Sequence, residues 1–241
     1  MIPDMNLFLL PYGGASSRVL LRLHKFLKAD IKIHALDPPG RGARFDEQPL
    51  QQMTGIVDDL TDIHGSEFNG RYFFFGHSFG AMVAYYLSNE LARRGLPLPD
   101  RLFLSGCGSP GSLFPMRHIL EKTDGDFVSE FCNIGGSFPS KNEFPELYQP
   151  FLDTLRADLR VVSDDSCPWN FIEDIPFTVF WSKDDFTPFQ DIKNWANFTN
   201  KEVRYVELTG NHFTMISQLQ RIGSEILVDV QRESMPVRSH H

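Results

Sequence analysis

The chain has 241 residues, of which 41% are hydrophobic, enough for one sizeable core and typical of a single α/β domain. Its 23 basic and 31 acidic residues give a formal charge of −8, which argues against binding to nucleic acid or to an anionic membrane surface. No apolar run reaches the length of about 18 residues that a membrane span needs, and the amino terminus has an early Asp4 and no basic region typical of a signal peptide. We therefore expect a cytoplasmic protein.

Short apolar runs alternate with helical patterns along the chain, as expected for a parallel sheet covered by helices on both faces. The last helix is indicated by one apolar stripe at intervals of three and four residues, formed by Leu219, Ile222, Ile226 and Val230. This pattern predicts one α/β domain over residues 1–235 and a disordered tail over 236–241. The predicted strands cover residues 6–10, 31–35, 71–75, 102–105, 178–181 and 204–208.

The segment from about 109 to 167 interrupts this alternation, because it has no convincing strand and is broken by glycine and proline. A long insertion between strands is usually functional, and this one carries too many apolar side chains for a solvated loop. We predict a helical lid over the site, with Gly135-Gly136 as a candidate hinge. The apolar side chains include Phe114, Phe127, Phe131, Phe138, Phe144, Phe151 and Leu155.

A serine motif lies between a predicted strand and a predicted helix. Gly76-His77-Ser78-Phe79-Gly80 fits the pattern G-x-S-x-G, in which glycines let strand and helix approach while the serine takes a strained conformation that exposes its hydroxyl. Such a pentapeptide is weak evidence alone, since it also occurs as an ordinary turn. The strand before it and the helix after it favour a serine hydrolase, with Ser78 as the nucleophile.

An acid and a base follow the serine in the chain order of an α/β-hydrolase fold, namely Ser, then Asp or Glu, then His. The predicted strand over 178–181 delivers Asp184 and Asp185 to the carboxyl end of the sheet, and we choose Asp185, although the doubled acid leaves one position open. His212 follows the last predicted strand in a glycine turn and is the best base. The remaining histidines lie before the nucleophile, within the motif, on a charged segment or at the extreme carboxyl terminus.

Backbone amides must bind the charge that develops on the attacked carbonyl oxygen. One candidate is the amide of Phe79, which directly follows the nucleophile, and the other is Gly13, in the glycine turn after the first predicted strand. No phosphate-binding motif follows that turn, so nucleotide binding is disfavoured. The resulting Ser-His-Asp mechanism requires no metal or bound cofactor, and the three cysteines lack the spacing of a disulfide framework or zinc site.

Five collinear segments resemble the type II thioesterases of nonribosomal peptide and polyketide assembly lines. Membership implies the α/β-hydrolase fold and hydrolysis of acyl groups from the phosphopantetheine arm of carrier proteins, for editing or release of intermediates. It also implies that acyl or peptidyl carrier domains are partners. In that family the Gly13 position is often alanine, and the residue before the acid is usually glycine rather than Ser182. The segments are Leu10-Pro11-Tyr12-Gly13-Gly14, Asp37-Pro38-Pro39-Gly40-Arg41-Gly42-Ala43-Arg44, Gly76-His77-Ser78-Phe79-Gly80, Leu155-Arg156-Ala157-Asp158 and Gly210-Asn211-His212-Phe213.

Carrier proteins are typically acidic, so docking on this acidic chain would need a local basic patch. Arg41, Arg44, Arg93 and Arg94 are candidates, and the alternative is that they pair with nearby carboxylates. The rival functions are a carboxylesterase or peptidase with the same triad, an acyltransferase or cyclase, and a noncatalytic acyl-binding protein. An intact triad argues against the last of these.

Overall fold

The computed structural model describes residues 5–28, 30–112, 116–164, 170–213 and 217–233. Within these ranges the chain forms one sheet of six parallel strands in the order β2-β1-β3-β4-β5-β6. All six predicted strands are confirmed, whereas the tail predicted at 236–241 lies outside the described residues. The strands are β1 (Met5–Leu10), β2 (Ile31–Ala35), β3 (Arg71–His77), β4 (Arg101–Ser105), β5 (Phe177–Ser182) and β6 (Val203–Leu208).

Helices connect the strands, as parallel pairing requires. The predicted apolar stripe of the last helix is confirmed, since Leu219, Ile222, Ile226 and Val230 are all buried. The α-helices are α1 (Met53–His64), α2 (Phe79–Arg94), α3 (Asp124–Asn133), α4 (Pro145–Ser163), α5 (Phe189–Lys193) and α6 (Leu219–Glu233). Short 3-10 helices cover Ser17–Phe26, Gly42–Arg44, Gly65–Glu67, Arg117–Glu121 and Asn194–Asn197.

Both faces of the sheet are buried, which explains why its strands read as nearly continuous apolar runs. In β3, Tyr72 and Phe74 point to the core beneath α1 and α2, and Phe73 and Phe75 point to the core beneath α6. Alternate residues of one strand therefore serve two separate cores. No helix in the described part of the chain is long and apolar enough to cross a membrane.

The insertion between β4 and β5 forms a third apolar cluster of its own. The 3-10 helix Arg117–Glu121, α3 and α4 contribute its buried members, and no strand occurs between β4 and β5 among the residues described. Two members of the predicted lid, Phe114 and the boundary at Cys167, lie outside those residues. The buried side chains of the cluster are Met116, Ile119, Phe127, Phe131, Leu152, Leu155 and Leu159.

Candidate active site

Ser78 lies between β3 and α2 in a conformation that non-glycine residues rarely adopt, with φ 53° and ψ −118°. Its amide donates to the carbonyl oxygen of Ser105 at 2.7 Å, which ties the turn to the end of β4. A Cβ at Gly76 would lie 2.1 Å from the carbonyl oxygen of Gly80, and one at Gly80 would lie 2.3 Å from that of Leu10. The two motif glycines are therefore required by the close approach of backbone to backbone.

The structure brings the predicted acid and base together at the carboxyl ends of β5 and β6. His212 Nδ1 lies 2.9 Å from Asp185 Oδ2 and 3.0 Å from Oδ1, and both side chains are buried. The Thr187 amide donates to Asp185 Oδ1 at 3.0 Å, and Ser182 Oγ donates to the Gly210 carbonyl at 2.5 Å, joining the acid and base loops. Asp184 is exposed, so this geometry favours Asp185 as the partner of His212.

The carboxyl group of Asp185 is held ionised. Burial alone would raise its pKa, but the hydrogen bond and charge of His212 and the Thr187 amide together lower the pKa below its ordinary value. The ionised acid accepts from Nδ1 and so directs the free nitrogen Nε2 of His212 away from it. That arrangement is the one a general base needs.

A second histidine, His77, lies beneath the base. Its ring centroid is 4.8 Å from that of His212, and its Nδ1 lies 3.0 Å from Ser105 Oγ. Burial, followed by the charge of His212, lowers the pKa of His77 to about 3. A neutral ring therefore packs under the site and adds no positive charge beside the base.

Each of the two proposed oxyanion donors belongs to a residue that lines a cavity with Ser78. Gly13 lines a cavity together with Ser78 and His212, and Phe79 lines a second cavity together with Ser78. Within the described part of the chain, neither the Gly13 amide nor the Phe79 amide donates a hydrogen bond. Both amides are thus free to bind an oxygen.

Ser78 lies where these two cavities meet. The cavity lined by Gly13, which we call the apolar chamber, is walled by side chains of the insertion and of the acid and base loops: Met116, Ile119, Phe131, Ile134, Leu155, Leu159, Phe186 and Phe213. The other, which we call the mixed chamber, is lined by polar residues and glycines and by four apolar residues: Gly106, Gly108, Ser112, Thr187 and Asp191, with Phe79, Met82, Cys107 and Val162.

Aromatic rings join the insertion to the base loop. Phe186 packs on the His212 ring with centroids 4.2 Å apart, and Phe131 of α3 meets Phe213 at 5.7 Å. Tyr12 contacts Phe213 at 5.5 Å from the turn after β1. These contacts pack α3 against the loop that carries the base, and sequence reasoning singled out neither Tyr12 nor Phe186 for this role.

Cys107 follows β4 and lines the mixed chamber beside Ser78. Burial raises the pKa of its thiol to about 12, with a further contribution from Asp185, so the thiol stays protonated. Cys107 and Cys132 are free thiols, and the described residues include no group of three or more His, Cys, Asp or Glu that could hold a metal ion.

The four arginines considered for a docking patch are already paired. Arg44 binds Asp59 and Glu47, while Arg93 and Arg94 share Glu90 on α2 and reach Asp58 on α1. Arg41 is buried and bound by Asp158. Pairing with carboxylates is therefore the interpretation that the geometry favours, and a basic docking patch built on these residues is not.

The Arg41–Asp158 pair is a feature that sequence reasoning missed, although both residues stand in segments that carry the family resemblance. The signal was present in α4, because Asp158 falls on the same helix face as the buried Leu152, Leu155 and Leu159. A carboxylate on an apolar face needs a partner. That partner is Arg41, which lies 117 positions away in the sequence, so the sequence pattern of α4 does not reveal it.

The thioesterase-domain family matches residues 5–228 of this chain. The chain therefore belongs to the thioesterase family of the α/β-hydrolase fold, and it is a hydrolase that acts on thioesters. Among curated proteins it is 29% identical to the probable anguibactin biosynthesis thioesterase AngT of Vibrio anguillarum over 221 residues, which is 88% of this chain and 86% of that protein.

Solved structures agree with this assignment. YbtT, a type II thioesterase from the yersiniabactin pathway, superposes with a TM-score of 0.81 at 26% identity, covering 96% of this chain and 95% of that one. ClbQ from the colibactin pathway gives a TM-score of 0.84 at 23% identity, covering 96% and 98%. The second likeness establishes a shared fold, and at this identity it does not assign the chain to that pathway.

Proposed function

We propose that this enzyme hydrolyses acyl groups from the phosphopantetheine arm of carrier proteins in nonribosomal peptide or polyketide assembly, by a Ser78–His212–Asp185 mechanism. The Ser78 hydroxyl attacks the thioester carbonyl while His212 Nε2 takes its proton. The Phe79 and Gly13 amides bind the oxyanion. His212 returns the proton to the departing thiol, and water then cleaves the acyl-enzyme to a carboxylic acid. No metal or bound cofactor takes part in this proposal.

One observation carries the proposal: His212, paired with Asp185 at 2.9 Å, lines the same cleft as the strained Ser78, which also borders two amides without partners in the described structure. This set supplies a nucleophile, a base held in one tautomer and donors for a developing negative charge. A noncatalytic acyl-binding protein would need none of these features.

The two chambers fit the two halves of an acyl thioester. The apolar chamber suits the acyl group, because its wall consists mainly of aliphatic and aromatic side chains. Beside its apolar members, the mixed chamber includes Ser112, Thr187 and Asp191, whose hydroxyl and carboxylate groups suit the amides of a pantetheine arm. The carrier context is supported by the names of two relatives, a gramicidin S biosynthesis protein and the anguibactin thioesterase.

The test compares one acyl group presented on a carrier protein and on a truncated pantetheine thiol. Carrier contacts should add binding energy used at the reacting centre, so kcat/KM should be higher for the carrier-bound substrate. In parallel, a fluorophosphonate should label Ser78, and Ser78→Ala should lower hydrolysis at least about a thousandfold while the protein stays folded.

Each rival function has its own outcome. Equal kcat/KM for both thioesters, with faster turnover of simple oxygen esters, would favour a carboxylesterase. An amide or ester product in the presence of a competing amine or alcohol would favour an acyltransferase or cyclase. Fluorophosphonate labelling elsewhere, with Ser78 unmodified, would overturn the assigned nucleophile.

A further inference from the structure

A buried ion pair joins three segments around the proposed oxyanion hole. Arg41 lies in the loop after β2, and its two terminal nitrogens bind the two oxygens of Asp158 on α4, each at 2.7 Å. The exposed fractions of these side chains are only 3% and 1%. Asp158 Oδ2 also accepts the Gly14 amide at 2.7 Å, from the turn after β1.

Stability alone is a poor explanation for this pair. Removing two charges from water costs several kcal/mol for each ion, and well-packed apolar residues of similar size are often as stabilising or more so. What an apolar pair could not do is hold the Gly14 amide. The geometry therefore ties the ion pair to the position of the Gly13–Gly14 turn.

The pair contacts both sides of the proposed oxyanion hole. A Cβ at Gly13 would lie 3.8 Å from Asp158 Oδ2, so the carboxylate lies directly beside the turn that offers one donor. On the other side, the guanidinium carbon of Arg41 lies 5.2 Å from the ring centroid of Phe79, whose amide is the second donor. A carboxylate here would repel an oxyanion if it were alone, and the arginine neutralises it.

The same contacts connect α4 to this turn. One turn before Asp158, Thr154 Oγ1 donates to the Gly40 carbonyl at 3.1 Å, which gives the helix a second attachment to the loop of Arg41. Leu155, between them, lines the apolar chamber. A displacement of α4 would therefore move the chamber wall and release the Gly14 amide together.

We propose that Arg41 and Asp158 are positioning residues for the reaction: they hold the Gly13 amide in place for the oxyanion. The acylation rate therefore depends on the position of α4 relative to the Gly13–Gly14 turn. This inference rests on the proposed serine mechanism. Neither residue touches the reacting atoms, so the expected loss is in the rate of acylation rather than in substrate binding.

The test uses Asp158→Leu in the full chain, with Asp229→Leu as a matched control, because an asparagine at position 158 would keep one oxygen for the Gly14 amide. Asp229 is also fully buried, pairs with Arg204 at 2.6 Å and accepts from Thr178 Oγ1 at 2.7 Å, but it lies near the opposite end of β5 from the triad. Both variants break a buried ion pair and should lower the melting temperature, and only one lies at the site.

Single-turnover acylation by an acyl thioester of N-acetylcysteamine should fall about 10²–10³-fold in Asp158→Leu, the size expected when an oxyanion donor is lost, while KM changes little. Affinity for an alkyl trifluoromethyl ketone, which forms a tetrahedral oxyanion on the serine, should fall in parallel. Asp229→Leu should keep the wild-type rate at temperatures where it is folded.

Two further variants keep the test decisive if Asp158→Leu does not fold. Arg41→Lys retains the charge but loses the bidentate geometry, and its acylation rate should also fall at unchanged KM. The double variant Arg41→Met with Asp158→Leu removes both charges at similar volume, and it should fold yet acylate slowly because Gly14 loses its acceptor. Wild-type acylation in a folded Arg41→Lys or double variant, or equal losses in the Asp158 and Asp229 variants, would overturn the inference.

The outcomes separate this inference from the proposed function. If Ser78→Ala still turns over, the serine mechanism itself fails. If Ser78 is labelled and required while the Asp158 and Arg41 variants acylate normally, only the positioning role fails.

Discussion

Replacing Asp185 by asparagine tests the acid of the proposed triad at the level of single hydrogen bonds. In the structure Oδ1 accepts the Thr187 amide at 3.0 Å, while Oδ2 lies nearest His212 Nδ1, at 2.9 Å. An asparagine would keep its oxygen on the Thr187 amide and turn its NH₂ group toward Nδ1. That group can only donate, so His212 would carry its proton on Nε2 and could not accept the serine proton.

The expected loss therefore lies at the upper end of the range of about 10²–10⁴ for such variants. A loss of 10⁴ corresponds to about 5.5 kcal/mol of activation free energy. Asp184→Asn is the control, because Asp184 is exposed and adjacent in sequence, and it should change the rate by no more than about twofold.

The assay is thiol release from an acyl thioester under single-turnover conditions, with fluorophosphonate labelling of Ser78 as a second measure of its reactivity. Thermal melts would show that both asparagine variants are folded. A larger loss for Asp184→Asn than for Asp185→Asn would move the acid one residue upstream. A folded Asp185→Asn enzyme within tenfold of the wild-type rate would refute the tautomer argument.

Three other outcomes follow from the structure. Gly80→Ala should lower the unfolding free energy by about 3 kcal/mol or more, because its Cβ would lie 2.3 Å from the Leu10 carbonyl oxygen and backbone must move. Burial lowers the pKa of His77 to about 3 from 6.5, so its contribution to stability is complete above pH 6.5 and declines as the pH falls. Urea unfolding between pH 7 and 5 should therefore show a loss of up to about 1.4 kcal/mol per pH unit below 6.5 that His77→Gln reduces. Iodoacetamide at pH 8 should alkylate the exposed Cys132 and leave Cys107 unmodified by mass spectrometry, since a thiol with a pKa of about 12 is ionised only to about one part in 10⁴ at that pH.

Each of these predictions has a control or a contrary result. Gly55→Ala in α1 meets its nearest atom only at 3.9 Å and should be neutral or stabilising, so equal effects at Gly55 and Gly80 would contradict the backbone clash. His24→Gln removes an exposed histidine, and if it flattened the pH dependence as much as His77→Gln does, burial would not be the cause. Rapid alkylation of Cys107 in the folded enzyme would show that its thiol is more acidic than its burial implies.

The sequence alone predicted the strand positions and the last helix, and it offered a candidate serine, acid and base in the chain order of the fold. These features are local, because apolar runs, helical spacing and a glycine-flanked serine each depend on neighbouring residues. It also gave Asp184 and Asp185 as the candidates for the acid, since both follow the same strand. It could not choose between them, because the side chains of two adjacent loop residues point in different directions, and the sequence does not show which one faces His212.

Only the tertiary structure decided contacts between distant segments. It placed His212 against Asp185 rather than Asp184, since the direction of each side chain depends on the loops that follow β5 and β6. It also paired the arginines that charge counting had left as a possible docking patch, and it joined Arg41 to Asp158 from 117 positions away. The physical reason is that a buried charge must find its partner in space, and sequence separation carries no information about which partner that is.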